Sequence, residues 1–500
     1  MKRILFVNPS LRLYSSTKFL PVGIASVMSF LKSSQIDFDF LDIDINDMED
    51  SKVEEFLEKN RYDLILSGSI VTHYKWMKWL TKTVRSFNRN ALIIIGNSVA
   101  GSIPQIFLKN SEADIAVMGE GEITTGEVVQ KALKGEDDWE NVLGIAYKNN
   151  NGSIKVNEKR KSLKKLDEFP MINWDNFDTE KYFEKSYAGA HAIDDSKVRV
   201  MPVVTARGCA FRCTFCHFVF WNDPYRYRSP QNILEELKRN MDAYSCNYIT
   251  FWDDLSFASL PQAERFADAI LESGLKFNWN AAVRVDLFGN PKHSYERRLN
   301  VAKKFKESGC RDLGFSLESA NKEILEMMNK RIEAKYFLEQ VRILEEVGIH
   351  CSISVVFGYP IETQETIKET FDMCFEAKIY PSMGYLLPLP ATGMYEYAKN
   401  HGYIKDDDKY LDAITERQDL CLNMTSMTDD KVNGLIADGA ANLNARLGIG
   451  LKKESLIKTG GYNAHSKDSK LKKLKREKNS LILNYSEAEF ESGLGVASNS

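Results

Sequence analysis

Residues 206–217 read Ala206-Arg-Gly-Cys-Ala-Phe-Arg-Cys-Thr-Phe-Cys-His217, and the spacing of Cys209, Cys213 and Cys216 decides the fold. Three soft thiolates this close converge on one metal centre and suit an iron–sulfur cluster or zinc. A cubane cluster normally takes four cysteines, one per iron, so three leave one iron open to a substrate or cofactor. An open metal position points to catalysis, a closed one to a structural plug. The alternatives are a zinc knuckle or three unrelated buried thiols. Zinc sites usually come as paired C-x2-C units, and no second pair exists here.

Around this loop, apolar runs at 203–206, 248–252, 277–283, 312–317, 351–357 and 383–387 alternate with helical patterns at 232–244, 262–271, 301–307, 336–346 and 363–376. Upstream, runs at 4–7, 38–43, 64–67, 92–95 and 115–118 alternate with amphipathic stretches at 24–31, 76–84 and 123–133. Strands alternating with helices imply right-handed crossovers, so the upstream part is expected to form a parallel, doubly wound sheet. Ligands on such sheets sit beyond the carboxyl ends of the strands. Those ends carry Asn8-Pro-Ser10, Ser67-Gly-Ser69, Gly96-Asn97 and Gly119-Glu-Gly-Glu122. Between the two alternations, Asn149-Asn-Asn-Gly152 marks a turn between short strands at 143–147 and 153–156.

Composition fits an ordinary enzyme of two or three domains: 500 residues, 43% hydrophobic and 27% charged. A net charge of −4 gives no general attraction to nucleic acid or anionic membrane. The first nine residues read as a strand rather than a signal peptide, and no apolar run is long enough to span a bilayer. Eight cysteines in so long a chain do not suggest a disulfide scaffold, and a reducing cytoplasm is expected. Seven of the twelve residues 467–478 are Lys or Arg, a solvated face or tail by default.

C-x3-C-x2-C, with Arg207-Gly208 before it and Phe215 ahead of the last cysteine, resembles the signature of the radical S-adenosylmethionine (SAM) enzymes. The resemblance covers roughly the first 400 residues. Val7-Asn-Pro9, Leu20-Pro-Val-Gly-Ile-Ala25 and Gly119-Glu-Gly-Glu122 are similar to the subgroup that carries a cobalamin-binding domain ahead of the cluster domain. The resemblance implies a Rossmann-like cobalamin-binding-type domain over 1–150, a linker over 151–198, a partial (β/α)6 barrel over 199–400, and a helical extension with a basic tail over 401–500. A helix at 429–447 could cap the barrel mouth.

The same resemblance implies that Cys209, Cys213 and Cys216 hold a [4Fe-4S] cluster whose open iron chelates SAM. Reductive cleavage then yields methionine and a 5′-deoxyadenosyl radical. Asp253, Asp254, Arg284, Glu318, Ser319 and Gly358 are the expected SAM contacts. For Asp253 and Asp254 a loop-tying role competes, and for Arg284 a salt bridge to Asp286. Asn8, Ser69, Gly96, Gly119, Glu120 and Gly121 are the expected cobalamin contacts. The Asp-x-His-x-x-Gly motif, whose histidine binds cobalt in many cobalamin domains, is absent, and His73 reads as a polar surface residue. The expected reaction is methylation of an unactivated carbon. Radical cyclisation, rearrangement or redox change without methyl transfer is the alternative, and a non-catalytic metal-binding or interaction protein is the alternative of another class. Expected partners are a small biosynthetic intermediate and an electron donor such as flavodoxin or ferredoxin, with no nucleic acid and no membrane span. No cysteine precedes Cys209, so the first domain cannot hold a second thiolate-bound cluster. Trp221, Tyr225 and Tyr227 line a pocket or pack the cluster loop.

Overall fold

The computed structural model describes residues 2–15, 17–186, 198–216, 223–415, 417–453 and 456–457. Its first sheet contains β1 (Ile4–Asn8), β2 (Asp39–Asp42), β3 (Leu64–Gly68), β4 (Leu92–Gly96), β5 (Ile115–Val117), β6 (Ile145–Lys148) and β7 (Ile154–Val156), in the order 2-1-3-4-5-6-7. The first five strands are parallel. The hairpin β6–β7 adds to β5 antiparallel, so the sheet is mixed rather than purely parallel. Burial explains the near-continuous apolar runs: β1 is buried at all five positions, between helices on both faces.

A small ribbon, β9 (Ala206–Arg207) with β10 (Arg226–Tyr227), accompanies the cysteine loop. The second sheet contains β8 (Val200–Val203), β11 (Tyr248–Phe251), β12 (Asn278–Ala282), β13 (Cys310–Glu318), β14 (His350–Phe357) and β15 (Ser382–Tyr385). All six are parallel, in an order that runs from β15 at one edge to β8 at the other, an open partial barrel. Helices Pro230–Tyr244 and Leu260–Ser273 begin where Ser229 and Ser259 accept hydrogen bonds from backbone N–H groups of the first turn, with proline inside each start. Helix Gln364–Glu376 opens with a Thr363/Thr366 capping box.

The connector ties the two sheets together. Asn173 N–H donates to Ser29 Oγ (2.8 Å), while Trp174 N–H donates to Tyr244 on the other side (3.2 Å). Trp174 is fully buried against Phe177. Helix Asp429–Leu447 does not lie across the barrel mouth. It packs along the outer helix Gln364–Glu376, so closely that a Cβ at Gly439 would sit 2.2 Å from the Phe371 ring. Asn433 reaches the end of β15, accepting from the Tyr385 hydroxyl (2.6 Å). His73 is buried rather than on the surface, stacked on Trp76 with Nδ1 2.9 Å from Ser69 Oγ. Trp221 and the basic stretch 467–478 lie outside the described residues.

At the end of β1, Asn8 Nδ2 donates to Asp42 Oδ1 (2.8 Å) and Tyr182 of the connector donates to Asp42 Oδ2 (2.9 Å). Burial pushes the Asp42 carboxyl up to about 6, more than these donors pull it down. A carboxyl raised on folding contributes stability that is present below pH 3.8 and lost as pH rises through about 6. Asp42→Asn should therefore gain on the wild type by about 2.4 kcal/mol between pH 4 and pH 8. Urea unfolding at both pH values checks this, and parallel pH profiles of the two proteins would contradict it.

Candidate active site between the two sheets

A cavity of about 560 Å³ lies between the carboxyl ends of the first sheet and the inner face of the second. That volume suits a cofactor or small substrate. Its first wall is Phe6, Leu66, Ile94 and Val117 from the strands, with Val22, Ile24, Ser26 and Val27 from one helix start and Gly121, Glu122 and Thr125 from another. Gly68, Gly96, Gly119 and Gly121 keep the backbone open there. A Cβ at Gly121 would press on Val27 at 3.3 Å, and Gly119 adopts φ +75°, which favours glycine. Ser67, Asn97 and the first helix were not among the sequence-predicted contacts. Their signal was the strand-end register, which places Ser67 and Gly68 beside Ile95 and Gly96.

The second wall carries Arg207, Trp252, Asp253, Asp254, Asn280 and Asp312. Arg207 joins the walls. Its guanidinium donates to Glu122 Oε1 (2.6 Å) and stands 3.4 Å from Glu120, which also pairs with Arg226 (2.7 Å). Burial alone would raise the Glu122 carboxyl. The Arg207 charge and hydrogen bond outweigh that and hold its pKa below the usual range.

Asp253 and Asp254 part company. Asp253 accepts from Thr205 N–H (2.8 Å), Ala206 N–H (2.9 Å) and the Thr205 hydroxyl (2.6 Å), so it ties the loop after β8. Asp254 opens onto the cavity while surrounded by protein. Burial, then the Asp253 charge, push its carboxyl up to about 6.

The cysteine loop stands beside this wall. Gly208 turns at φ +76° against the Pro224 carbonyl, 3.1 Å from where a Cβ would be. Thr214 N–H donates to Met328 O (2.9 Å), its hydroxyl to Met327 O (2.9 Å), and Asn329 Nδ2 to Arg212 O (2.7 Å). The three thiols lie close enough to feel one another's charge. Burial raises Cys213, opposed by Lys330 and Arg284, and pushes Cys216 up to about 12. Without a metal the Cys213 and Cys216 thiols stay protonated, and a bound cation is what would hold them as thiolates. Among the described residues no three His, Cys, Asp or Glu side chains meet around one ion. A cubane differs, because each thiolate takes its own iron, so the thiols stand apart. The donor set fits a cluster.

The other predicted contacts fall into two groups. Arg284 stacks on Phe211 (3.4 Å), pairs with Asp286 (3.1 Å) and donates to Lys330 O (2.8 Å). Glu318, at φ +64°, pairs with Lys330 (2.8 Å), so both residues border Cys213. Gly358, at φ +97°, donates its N–H to Glu362 (3.2 Å), and Ser319 packs against Thr370; neither reaches the cavity. On the first sheet Gly96, Gly119, Glu120 and Gly121 line it, whereas Asn8 and Ser69 are engaged behind it with Asp42 and His73. Tyr225 donates to Ser256 O (2.8 Å), Tyr227 is exposed, and neither lines the cavity.

A cysteine loop beside a partial barrel, faced by the ligand edge of a doubly wound sheet, defines a class of two-sheet enzyme with a thiolate-held metal centre. Comparison with known proteins agrees. The radical SAM superfamily profile matches residues 203–374, and the B12 binding domain profile matches residues 12–129. This chain is a radical SAM enzyme with a B12-binding domain ahead of its cluster domain, and its cofactors are a [4Fe-4S] cluster, SAM and cobalamin.

It is 27% identical over 381 residues to an uncharacterized methyltransferase of Pyrococcus horikoshii, covering 76% of this chain and 78% of that one. It is 23% identical over 424 residues to the anaerobic magnesium-protoporphyrin IX monomethyl ester cyclase of Cereibacter sphaeroides, covering 82% of this chain and 65% of that one. The cobalamin-dependent SAM radical enzyme OxsB, solved with aqua-cobalamin and SAM, shares the fold at a TM-score of 0.65 and 19% identity, covering 82% of this chain and 56% of OxsB. Among the described residues no helix is long and apolar enough to cross a membrane.

Removing Arg207 leaves two buried carboxylates short of a partner, which costs about 3–5 kcal/mol. Arg207→Met should destabilise the protein by that amount in urea unfolding, and adding Glu122→Gln should recover at least half. An unchanged unfolding midpoint in Arg207→Met would show that the pair does not hold the walls together.

Proposed function

We propose that the protein methylates an unactivated carbon of a small biosynthetic intermediate, in the cavity between its two sheets. The observation that carries this reading is a cavity walled by both sheets, so a group held on one faces a group held on the other. When bound, the cluster and SAM supply a 5′-deoxyadenosyl radical and cobalamin supplies the methyl group.

The chain's part is to hold, orient and exclude water. Cys209, Cys213 and Cys216 hold the cluster, in a loop pinned through Thr214 and Asn329. Asp254 takes the ammonium of SAM, because a cation beside a carboxyl with a raised pKa favours its ionised form. Asp253 acts one step back, fixing the loop that carries Arg207. Arg284 and Glu318, with Lys330 between them, set the charge around Cys213, while Ser319 and Gly358 shape the strand-end turns. Gly96, Gly119, Glu120 and Gly121 form the cobalamin cradle, and Asn8 and Ser69 brace it from behind. Val22, Ile24, Val27, Leu66 and Val117 keep that wall dry, which protects a radical from side reactions.

Divisions at 150, 198 and 400 separate cradle, connector, barrel and extension. A flavodoxin or ferredoxin supplies the electron, in the cytoplasm. Similarity to the monomethyl ester cyclase favours a second reading, radical ring closure without methyl transfer.

Anaerobic reconstitution with iron, sulfide and hydroxocobalamin should give corrinoid bands beside cluster absorbance after desalting. Changing Cys209, Cys213 and Cys216 together to Ala should abolish iron binding and 5′-deoxyadenosine formation while the corrinoid stays. A full four-iron cluster in that variant would sink the assignment. A product heavier by one methylene supports methyl transfer, and one lighter by two hydrogens supports ring closure.

A further inference from the structure

The inner face of the second sheet is polar where a barrel core is ordinarily apolar. Along β12, β13 and β14, residues alternate between buried and half-buried. The buried set, Trp279, Ala281, Leu313, Phe315, Ile353 and Val355, belongs to the hydrophobic core. The half-buried set includes Asn280, Asp312, His350, Ser352 and Ser354. Register aligns these side chains: Thr250 pairs with Asn280, Asn280 with Asp312, and Asp312 with His350. The result is one polar rung across four neighbouring strands, of which Thr250, Asn280 and Asp312 line the cavity. A register shift between Trp279 and Asn280 leaves Arg311 without a paired position in the β12–β13 ladder. Its guanidinium turns to Asn278 (2.7 Å), and it is not part of the lining.

The rung is built to accept hydrogen bonds. His350 Nδ1 stands 2.8 Å from Asp312 Oδ1, and Ser352 Oγ stands 2.8 and 2.9 Å from the two carboxylate oxygens. An ionised carboxylate has about four acceptor sites, so this support leaves capacity toward the cavity. Asn280 Oδ1 is buried and accepts no hydrogen bond. Beneath it Tyr248, 1% exposed, turns its hydroxyl to the Asn280 side chain. Two neighbouring oxygens, of Asn280 and Asp312, thus make the rung an acceptor surface.

Charge narrows the ligand. Among the described residues the cavity lining carries Glu120, Glu122, Asp253, Asp254 and Asp312 against one cation, Arg207. Arg207 and Arg226 neutralise the two glutamates, and backbone N–H groups satisfy Asp253. Asp254 sits at the strand ends beside the cysteine loop. Asp312 is the third residue of a nine-residue strand, about 20 Å along the chain from Glu318 at its end. A group bound at Asp312 is therefore remote from the cluster loop.

We propose that the Thr250–Asn280–Asp312 rung, with His350 and Ser352 as positioning residues, binds a protonated amine at the far end of an elongated substrate. This rests on the cavity being the reaction chamber. Binding energy gathered far from the reacting carbon is what orients it. A carboxylate or phosphate at that end would meet acceptors and a like charge.

The test uses 1,6-diaminohexane as probe and adipate as a length-matched control, titrated calorimetrically into the reconstituted full chain. The diamine should bind and adipate should not. Asp312→Asn should weaken the diamine by roughly ten- to hundredfold, the cost of a lost charge-assisted bond. Asn280→Ala, which leaves the Asp312–His350–Ser352 cluster intact, should weaken it less and keeps the test standing if Asp312→Asn does not fold. SAM cleavage and corrinoid retention are followed separately in the wild type. No diamine binding to the wild type, equal binding of adipate, or undiminished diamine binding in both variants overturns the inference. Loss of SAM cleavage and corrinoid in the wild type itself would instead overturn the reading of the chamber, and the titration would report on the rung regardless.

Discussion

Two arginines from the ribbon beside the cysteine loop are buried against two glutamates from the first sheet's last ligand turn, and the site depends on this contact. Glu120 and Glu122 are 8% and 5% exposed, and Arg207 and Arg226 are 17% and 6% exposed. Burying four charges is expensive, and the attraction offsets that cost only when every partner is in place. Such a contact adds little net stability and much specificity, because any slip of one sheet past the other strands a charge. Arg207 is two residues before Cys209, and Glu122 is in the first turn of helix Gly121–Lys134, where a carboxylate also suits the helix dipole. One set of ion pairs thus fixes the cysteine loop relative to the cavity's opposite wall.

The loop's other anchors come from the barrel's later strands. Met327, Met328 and Asn329 follow β13, and their contacts with Arg212 and Thr214 hold the segment between the first two cysteines and the third. Met394 N–H donates to Thr214 O (2.9 Å), adding the turn after β15. The Arg284 guanidinium stacks on Phe211 while bonding to the same turn after β13. Every one of these side chains or backbone groups is supplied beyond a strand's carboxyl end, where a parallel barrel gathers its loops. The loop is held by the frame and does not have to fold around its metal unaided.

The first sheet was legible in the sequence because parallel strands buried on two faces must be written as apolar runs, and the second because its strand segments alternate regularly with helical ones. Helix 429–447 was equally clear in extent, from its aspartates at the start and glycine after its end, but its place was not. The 429–447 stretch carries no mark of which surface receives it, and the reason it lies flat on Phe371 is the bare Gly439. The cysteines were readable because chemistry fixes their spacing. Asp253 and Asp254 were not separable, since adjacent aspartates differ only in which one finds the backbone N–H groups of Thr205 and Ala206. Asn8 and Ser69 stood at the correct strand ends, yet the connector's Tyr182 and the buried His73 decide what they touch, and both contacts are tertiary. The Arg207–Glu122 pair was unreadable for the same reason.

The cavity's two ends follow from one difference between the sheets. The first is covered by helices on both faces, so its strands present apolar side chains even where the cavity opens, at Leu66, Ile94 and Val117. The second curls into a barrel that does not close, since β8 and β15 remain at opposite edges. A closed barrel of this kind fills its interior with interdigitated apolar side chains. An open one cannot do so without exposing them, and polar residues on its inner face then cost little as long as something wet or hydrogen-bonding meets them. Asn280, Asp312, Ser352 and Ser354 follow from that constraint. A chamber dry at its cofactor wall and polar at its far wall gives a bound molecule only one favourable direction to lie.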